Sequence, residues 1–160
     1  MSNQKVTAKL PMVGELRIDL HDEAGNLKVR QIIKNTFMAV GDAHVADQLS
    51  DQAEAQMGWL SIGTSSTAKA AANTTLNSES DRNPLTAGYP EQQAGAADND
   101  VKYKATWAAG DGTGALTEAG VFNSSITDAG TMLCATTFSV INKGAADTLT
   151  IVWTVQCGSS

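Results

Sequence analysis

The chain has 160 residues, enough for one domain with a buried core, and it carries a formal net charge of -6. Its 11 Lys and Arg residues are scattered along the sequence, which argues against nucleic acid as a partner because phosphate binding needs clustered cations. No apolar run approaches the roughly 18 residues of a membrane span and no cleavable signal opens the chain, so we expect synthesis in the cytoplasm and no membrane partner.

The sequence predicts an N-terminal arm over residues 1–14, which lack periodicity, followed by a single β-rich domain over residues 15–157. Within this domain, residues 64–100 are rich in Ser, Thr, Ala and Asn and poor in large apolar side chains. Such a composition buries too little surface to fold alone. We therefore expect an extended segment that lies on the protein's own sheet or on a neighbouring subunit, with three anchors: Leu76, Leu85 and Tyr89.

Alternation of apolar and polar residues predicts that most of the domain is β-strand. Leu16, Ile18 and Leu20 open the pattern, and a turn over residues 21–26 returns the chain to complete an N-terminal hairpin. Three further strands are predicted in the middle of the chain, at residues 58–63, 101–107 and 117–122.

One α-helix is predicted after Asn35 and Thr36, which are typical N-cap residues. Apolar residues then recur at intervals of three and four, and we expect them to form one stripe against a sheet: Phe37, Met38, Val40, Val45 and Leu49. With about seven strands, one helix and no βαβ repeat, the sequence predicts a mainly β fold, an antiparallel β-sandwich with one flanking α-helix.

The last forty or so residues contain two alternating runs separated by a polar break at residues 142–147, which predicts a long terminal β-hairpin. Both apolar rows lie on the same side of this hairpin only if the numbers of facing residues sum to an odd value, and 291 suits the short loop. That pairing sets these residues opposite one another: Phe138 and Trp153, Val140 and Ile151, Cys134 and Cys157.

The two cysteines have two interpretations. Their facing positions in the predicted hairpin allow a disulfide between Cys134 and Cys157 once the protein leaves a reducing compartment. We favour two reduced thiols that pack as small apolar side chains, because two cysteines are too few for the disulfide framework of a secreted domain.

Several segments resemble tailed-bacteriophage virion proteins, and the similarity spans about residues 33–155. Its motifs are, in chain order, Ile62-Gly63-Thr64, Thr75-Leu76-Asn77-Ser78-Glu79, Leu116-Thr117-Glu118-Ala119-Gly120-Val121-Phe122, the strand from Thr131 to Phe138, and Lys143 with Asp147-Thr148-Leu149-Thr150-Ile151-Val152-Trp153-Thr154. The resemblance implies a non-enzymatic structural subunit of the virion.

Two placements on the particle follow from the resemblance. A capsid decoration or cement protein, bridging copies of the major capsid protein, suits a compact chain that ends soon after Cys157. A tail-collar or fibre-attachment component suits the similarity of the half between Glu118 and Trp153. Either would form a homo-oligomer, by analogy often three-fold. A glycan-binding module for host attachment is the alternative from another functional class.

Two groups of polar residues could carry catalysis or a metal, and we favour a simpler interpretation of each. His21, Asp22 and Glu23 could act as a general acid-base group, but solvated polar residues are expected in a turn. A second group on the predicted helix could bind a metal: Asp42, His44 and Asp47. Such residues usually form the wet face of an amphipathic helix.

Three remaining features also have simpler interpretations. A calcium site could form from Asp98, Asn99, Asp100 and Asp111, but the remaining ligands of a recognised loop are missing. The glycines of residues 110–114 lack the Lys and Ser/Thr of a phosphate loop. The tryptophans could stack a sugar, but we expect core positions for Trp59, Trp107 and Trp153. We therefore predict no catalytic residue, cofactor or metal site.

Overall fold

The computed structural model describes residues 12–94 and 99–158, which form two five-stranded antiparallel sheets and one α-helix. The strands are β1 (Met12–His21), β2 (Leu27–Lys34), β3 (Thr36–Phe37), β4 (Trp59–Gly63), β5 (Glu79–Pro84), β6 (Glu91–Gln92), β7 (Asp100–Trp107), β8 (Gly114–Phe122), β9 (Met132–Lys143) and β10 (Thr148–Cys157), and the helix is α1 (Ala39–Ser50). The predicted antiparallel β-sandwich with a single helix is confirmed.

Sheet A has the strand order β2-β1-β10-β7-β6, and sheet B has the order β3-β9-β8-β4-β5. The two sheets pack face to face around a shared core, because alternate residues of each strand point inward. Leu16, Ile18 and Trp153 of sheet A meet Leu60 and Val121 of sheet B, and all five are 0% exposed. Burying one such side chain contributes about 1.5–3 kcal/mol, so this core dominates the stability of the fold.

The predicted N-terminal hairpin is confirmed as β1 and β2, joined by a turn in which Gly25 has a φ of 83°. Strand β1 begins at Met12, three residues before the predicted domain start at Glu15, because its pairing with β10 extends to Met12 opposite Cys157. The rest of the predicted arm, residues 1–11, lies outside the described residues.

The predicted terminal hairpin is wrong, because β9 and β10 belong to different sheets. Strand β9 pairs with β8 and β3, whereas β10 pairs with β1 and β7, so residues 144–147 cross between the sheets. Cys134 and Cys157 therefore do not face each other across a hairpin, and both are free thiols. Burial raises the pKa of the Cys134 thiol, as expected for a cysteine that packs as a small apolar side chain.

The predicted apolar row of β10 is confirmed, since Leu149, Ile151, Trp153 and Val155 are all buried. The predicted row of β9 fails beyond its middle: Val140 is 54% exposed and its neighbour Ile141 is buried. The cause is a bulge against β8. Between the pairs Leu116 with Ile141 and Glu118 with Thr137, β8 advances two residues and β9 four, so the regular pairing is interrupted and the alternation of buried and exposed residues in β9 is out of step on either side of this point.

The predicted helix exists, but it begins at Ala39 because residues 36–37 form the short strand β3. The predicted apolar stripe is confirmed in part. Met38 is buried, and Phe37, Val40 and Val45 pack against buried residues, whereas Leu49 is 82% exposed. The buried residues within the helix are Gly41 and His44. Gly41 explains the orientation. A Cβ atom there would lie 2.2 Å from the Leu133 carbonyl oxygen, so only glycine lets the helix backbone rest on β9.

The predicted extended segment lies on the protein's own sheets wherever it is described. Strand β5 pairs with β4, β6 pairs with β7, and the predicted anchor Leu76 is buried. The other two anchors, Leu85 and Tyr89, are half-buried. Within residues 12–94 and 99–158, no helix is long and apolar enough to cross a membrane.

Replacing Gly41 with Ala is expected to lower the free energy of unfolding by about 1–3 kcal/mol, because the added methyl group collides with the Leu133 backbone. In an exposed helix the same change would stabilise by about 1 kcal/mol, so the sign is diagnostic. Urea unfolding measures it, with Gly58→Ala as the matched control because a Cβ at that residue makes only an ordinary contact at 3.8 Å. A Gly41→Ala variant more stable than the parent would contradict the close packing of helix and strand.

Candidate functional site

The outer faces of the two sheets differ, because within residues 12–94 and 99–158 a segment of the chain lies across the outer face of sheet B but not across that of sheet A. Residues 64–78, which we call the strap, cover the outer face of sheet B. Leu76 of the strap lies over Gly120, where a Cβ atom would come within 3.2 Å of it. Beneath the strap is a second small core that consists of Met38, Leu76, Phe122, Met132 and Ala135.

Glu118 holds the strap in place. Its side chain is 0% exposed, and its carboxylate accepts hydrogen bonds from the backbone N–H of Ser78 (2.7 Å) and of Asn77 (3.1 Å). It also forms an ion pair with Lys69, whose side chain is 1% exposed. A carboxylate buried in this way is tolerated only when its lone pairs are satisfied, so the strap and Glu118 depend on each other.

A second buried ion pair holds the neighbouring loop, residues 123–130. The Arg82 guanidinium donates two hydrogen bonds to the Glu79 carboxylate, at 2.6 and 2.8 Å. It also donates to the carbonyl oxygens of Ser124 (2.7 Å) and Ala129 (3.0 Å), and it lies 3.9 Å from the centroid of the Phe122 ring. The planar fork of Arg is well suited to several simultaneous acceptors.

A third buried cation closes the crossover between the sheets. The Lys143 ammonium donates hydrogen bonds to the carbonyl oxygens of Ala108 (2.9 Å) and Asp147 (2.7 Å). Burial lowers the pKa of Lys143, while the charge of Asp147 opposes that change. Lys69, Arg82 and Lys143 therefore serve the interior and contribute little to the surface charge.

The other six Lys and Arg residues of the described ranges all belong to β1, β2 and β7 of sheet A: Arg17, Lys28, Arg30, Lys34, Lys102 and Lys104. Strand register fixes their direction, because directly paired residues share one face of a sheet. Arg17 pairs with Val152, which pairs with Lys104, and all three alternate with buried neighbours. Lys34, Lys102 and Arg30 also lie on the outer face, because they pair through the ladder with outward residues of β1 and β10.

We call the outer face of sheet A the basic face. It carries five cations, Arg17, Arg30, Lys34, Lys102 and Lys104, and four carboxylates, Glu15, Asp19, Glu91 and Asp100, for a net charge of +1. The rest of the described residues carry four Lys and Arg residues and twelve carboxylates, for a net charge of -8. The molecule is thus electrostatically polarised, although its sequence is acidic overall.

Asp19 organises the cations on this face. Its carboxylate, itself buried, accepts hydrogen bonds from Arg30 at 2.6 and 2.9 Å and lies 3.3 Å from Arg17. The hydrogen bond from Arg30 is the main cause of a lowered pKa for Asp19, and the charge of Arg17 adds to it. Val13 and Ile32 are large apolar side chains exposed on the same face, at 47% and 59%.

The predicted acid-base group lies in the turn between β1 and β2. Asp22 accepts hydrogen bonds from the Asn26 backbone N–H (2.8 Å) and side-chain amide (3.1 Å), and these bonds lower its pKa. Its contacts with Asn26 therefore close the turn. His21 is half-buried and Glu23 is exposed at the same turn.

The predicted metal group does not converge on one point. Asp42 is exposed, whereas Asp47 accepts a hydrogen bond from the Glu54 backbone N–H at 3.0 Å. His44, expected on the wet face, is instead buried with its Nδ1 3.1 Å from the Glu54 carboxylate, because Gly41 turns that side of the helix onto β9. The Thr131 hydroxyl, which donates to Glu54, is the main cause of a lowered pKa for Glu54. Among the described residues, no three His, Cys, Asp or Glu side chains form a metal-binding group.

The predicted calcium residues lie far apart. Asp100 begins β7 and Asp111 follows the opposite end of that strand, which is eight residues and roughly 23 Å long. Asn99 directly precedes β7, and its side-chain amide donates to the Cys157 carbonyl oxygen at 3.0 Å. Asp98 lies outside the described residues.

The tryptophans are mostly core residues, as the sequence predicts. Trp107 and Trp153 are 0% exposed, and the Trp153 indole N–H donates to the Asn35 side-chain oxygen at 3.0 Å. Trp59 is half-buried and packs against the small core under the strap. Neither fully buried indole can stack on a sugar, so the glycan-binding alternative has no support from them.

No family model, curated protein or solved structure matches this chain.

Replacing Glu118 with Ala is expected to lower the free energy of unfolding by about 3–5 kcal/mol, because Lys69 is then left as a buried charge without its partner. The exposed pair of Lys34 and Glu15 supplies the control, since Glu15→Ala should cost less than about 1 kcal/mol. Hydrogen exchange should show the amides of Asn77 and Ser78 losing protection in Glu118→Ala. Equal costs for the two variants would contradict the role of Glu118 in fixing the strap.

The free energy of unfolding is expected to fall as the pH drops below about 4, because Asp19 then takes up a proton in the unfolded chain while the folded state still holds it ionised. Its folded pKa lies below the ordinary 3.8, so its ion pairs stabilise the fold above that value and are lost as the pH falls through the folded pKa. Urea unfolding at several pH values measures the loss, which should be smaller in Asp19→Asn than in the parent. An unchanged acid dependence in that variant would show that Asp19 does not organise Arg17 and Arg30.

Proposed function

We propose that this protein is a non-enzymatic structural subunit of a tailed-bacteriophage virion, a capsid decoration protein that stabilises the particle by binding its neighbours. The observation that carries the proposal is the basic face. One outer face of the sandwich is covered by the strap, and the other carries five cations with Val13 and Ile32 exposed among them. A flat face with apolar and charged residues together suits a protein partner.

The resemblance to virion proteins agrees with this arrangement. Its motifs include Leu76, Glu118 and Glu79, the residues that fix the strap and the adjacent loop. In this chain, the motif residues therefore hold the strap and the adjacent loop on the outer face of sheet B. A fold shared with those virion proteins would leave the opposite face for assembly, which is the expectation behind the proposal.

The charge of the basic face indicates which sign of charge its partner carries. A face with a net charge of +1 on a molecule that is otherwise at -8 is attracted to an acidic surface and repelled by a second basic one. Exposed charges are screened beyond about 8 Å at physiological ionic strength, so the attraction acts mainly at contact and weakens in salt. The neighbour on the particle is therefore expected to present carboxylates to the basic face.

Uptake by particles that lack this subunit tests the proposal. The purified protein is expected to co-sediment with such particles, and Arg17→Gln with Lys104→Gln should weaken uptake at least roughly tenfold. The control Ser125→Glu with Thr127→Glu changes the net charge by the same amount on an exposed loop beside sheet B, and it should bind like the parent. No uptake of the parent protein would overturn the proposed function.

Antibody labelling of intact particles distinguishes the two placements of the subunit. Label over the head supports a decoration protein. Label confined to the tail or collar would replace that placement with the fibre-attachment alternative, while the proposal of a structural subunit would stand.

A further inference from the structure

We infer that the basic face binds a second copy of this chain, head to tail, by receiving the acidic surface around helix α1 of that copy. The inference rests on the proposed function, since it names the neighbour that an assembly subunit would bind through this face. It is carried by charge complementarity within a single sequence.

The helix side of the molecule has the opposite charge. Residues 35–68 contain no Lys or Arg, and they include Asp42, Asp47, Asp51 and Glu54. Asp42 and Asp51 are exposed, and neither side chain takes part in the ion pairs and hydrogen bonds that fix the loop after the helix. The helix region therefore offers carboxylates to a partner without giving up internal contacts.

The apolar side chains of the two surfaces are also complementary. Leu49 lies two helical turns after Asp42 on the same side of α1, and at 82% it is the most exposed of the large apolar side chains described. The basic face exposes Val13 and Ile32 beside its cations. Specific protein interfaces usually have apolar contacts at their centre and polar or charged contacts around them. Contact of Leu49 with Val13 or Ile32, surrounded by ion pairs, would have that composition.

Charge also favours one symmetry. A two-fold dimer through the basic face would join two surfaces that each carry a net charge of +1, so no net electrostatic attraction would support it. A head-to-tail contact instead pairs each basic face with a different surface. Repetition of such a contact closes into a ring or extends as a filament, and a ring of identical subunits fits a symmetric particle.

The size of the face sets the expected strength. Four long strands about 4.8 Å apart and roughly 27 Å long present about 500 Å² per partner, or roughly 1,000 Å² in total. That area is at the lower limit for a specific interface, so association in free solution should be weak and sensitive to salt. Copies concentrated on one particle would bind each other more strongly.

Analytical ultracentrifugation of charge-reversed variants tests the inference. The face variant is Arg17→Glu with Lys104→Glu, and the helix variant is Asp42→Lys with Asp51→Lys. The parent should associate at about 50 mM salt and dissociate at about 500 mM, while each variant alone should associate at least tenfold more weakly. An equimolar mixture of the two variants should regain association, because each supplies the charge that the other now needs.

The controls separate this contact from general charge effects. Asp111→Lys with Asp128→Lys makes the same charge change as the helix variant at exposed residues elsewhere, and it should associate like the parent. Circular dichroism establishes that every variant is folded.

Four results would overturn the inference: a monomeric parent at low salt, no recovery in the mixture, loss of association in the control, or binding of duplex DNA by the parent that the face variant abolishes. A monomeric parent that still binds particles would leave the proposed function intact. Self-association of the parent without uptake by particles would support the contact between copies and overturn the proposed function.

Discussion

The buried ion pair between Glu118 and Lys69 is the interaction on which the surface of this protein depends. A β-sandwich has two outer faces, and each is covered by the chain, exposed to water or bound by a partner. Glu118 projects from β8 onto the outer face of sheet B, where the strap meets its carboxylate with two backbone amides and one ammonium group. The polar group and its cover stabilise each other, so this face is closed by the chain itself.

The consequence appears on the opposite face. Three of the nine described cations are used in the interior, at Lys69, Arg82 and Lys143. The remaining six are in sheet A, and no segment of the described part of the chain lies across the outer face of that sheet as the strap does on sheet B. Folding thus sorts the charges of an acidic chain into a basic side and an acidic side. The net charge of -6 gives no indication of that sorting.

Sequence periodicity predicted those strands that can be recognised without knowing which strand they pair with. The N-terminal hairpin and the buried row of β10 follow from strict alternation, which depends only on having one dry face. It could not predict which strand pairs with which, so two adjacent alternating runs were interpreted as a hairpin when they belong to opposite sheets. The bulge in β9 and the glycine contact of α1 also depend on neighbours distant in sequence, Glu118 in one case and Leu133 in the other. The basic face had a visible signal, because Arg17, Lys102 and Lys104 occupy the outward positions of predicted strands, but only the sheet order brings those strands together.

Lysine acetylation footprinting tests most directly whether the basic face is the assembly surface. Mass spectrometry would compare the modification of each lysine in the free protein and in the assembled particle. The account predicts that Lys34, Lys102 and Lys104 react in the free protein and are protected on assembly, whereas Lys69 and Lys143, buried in the fold, stay unreactive in both. Equal reactivity of the three surface lysines before and after assembly would contradict it.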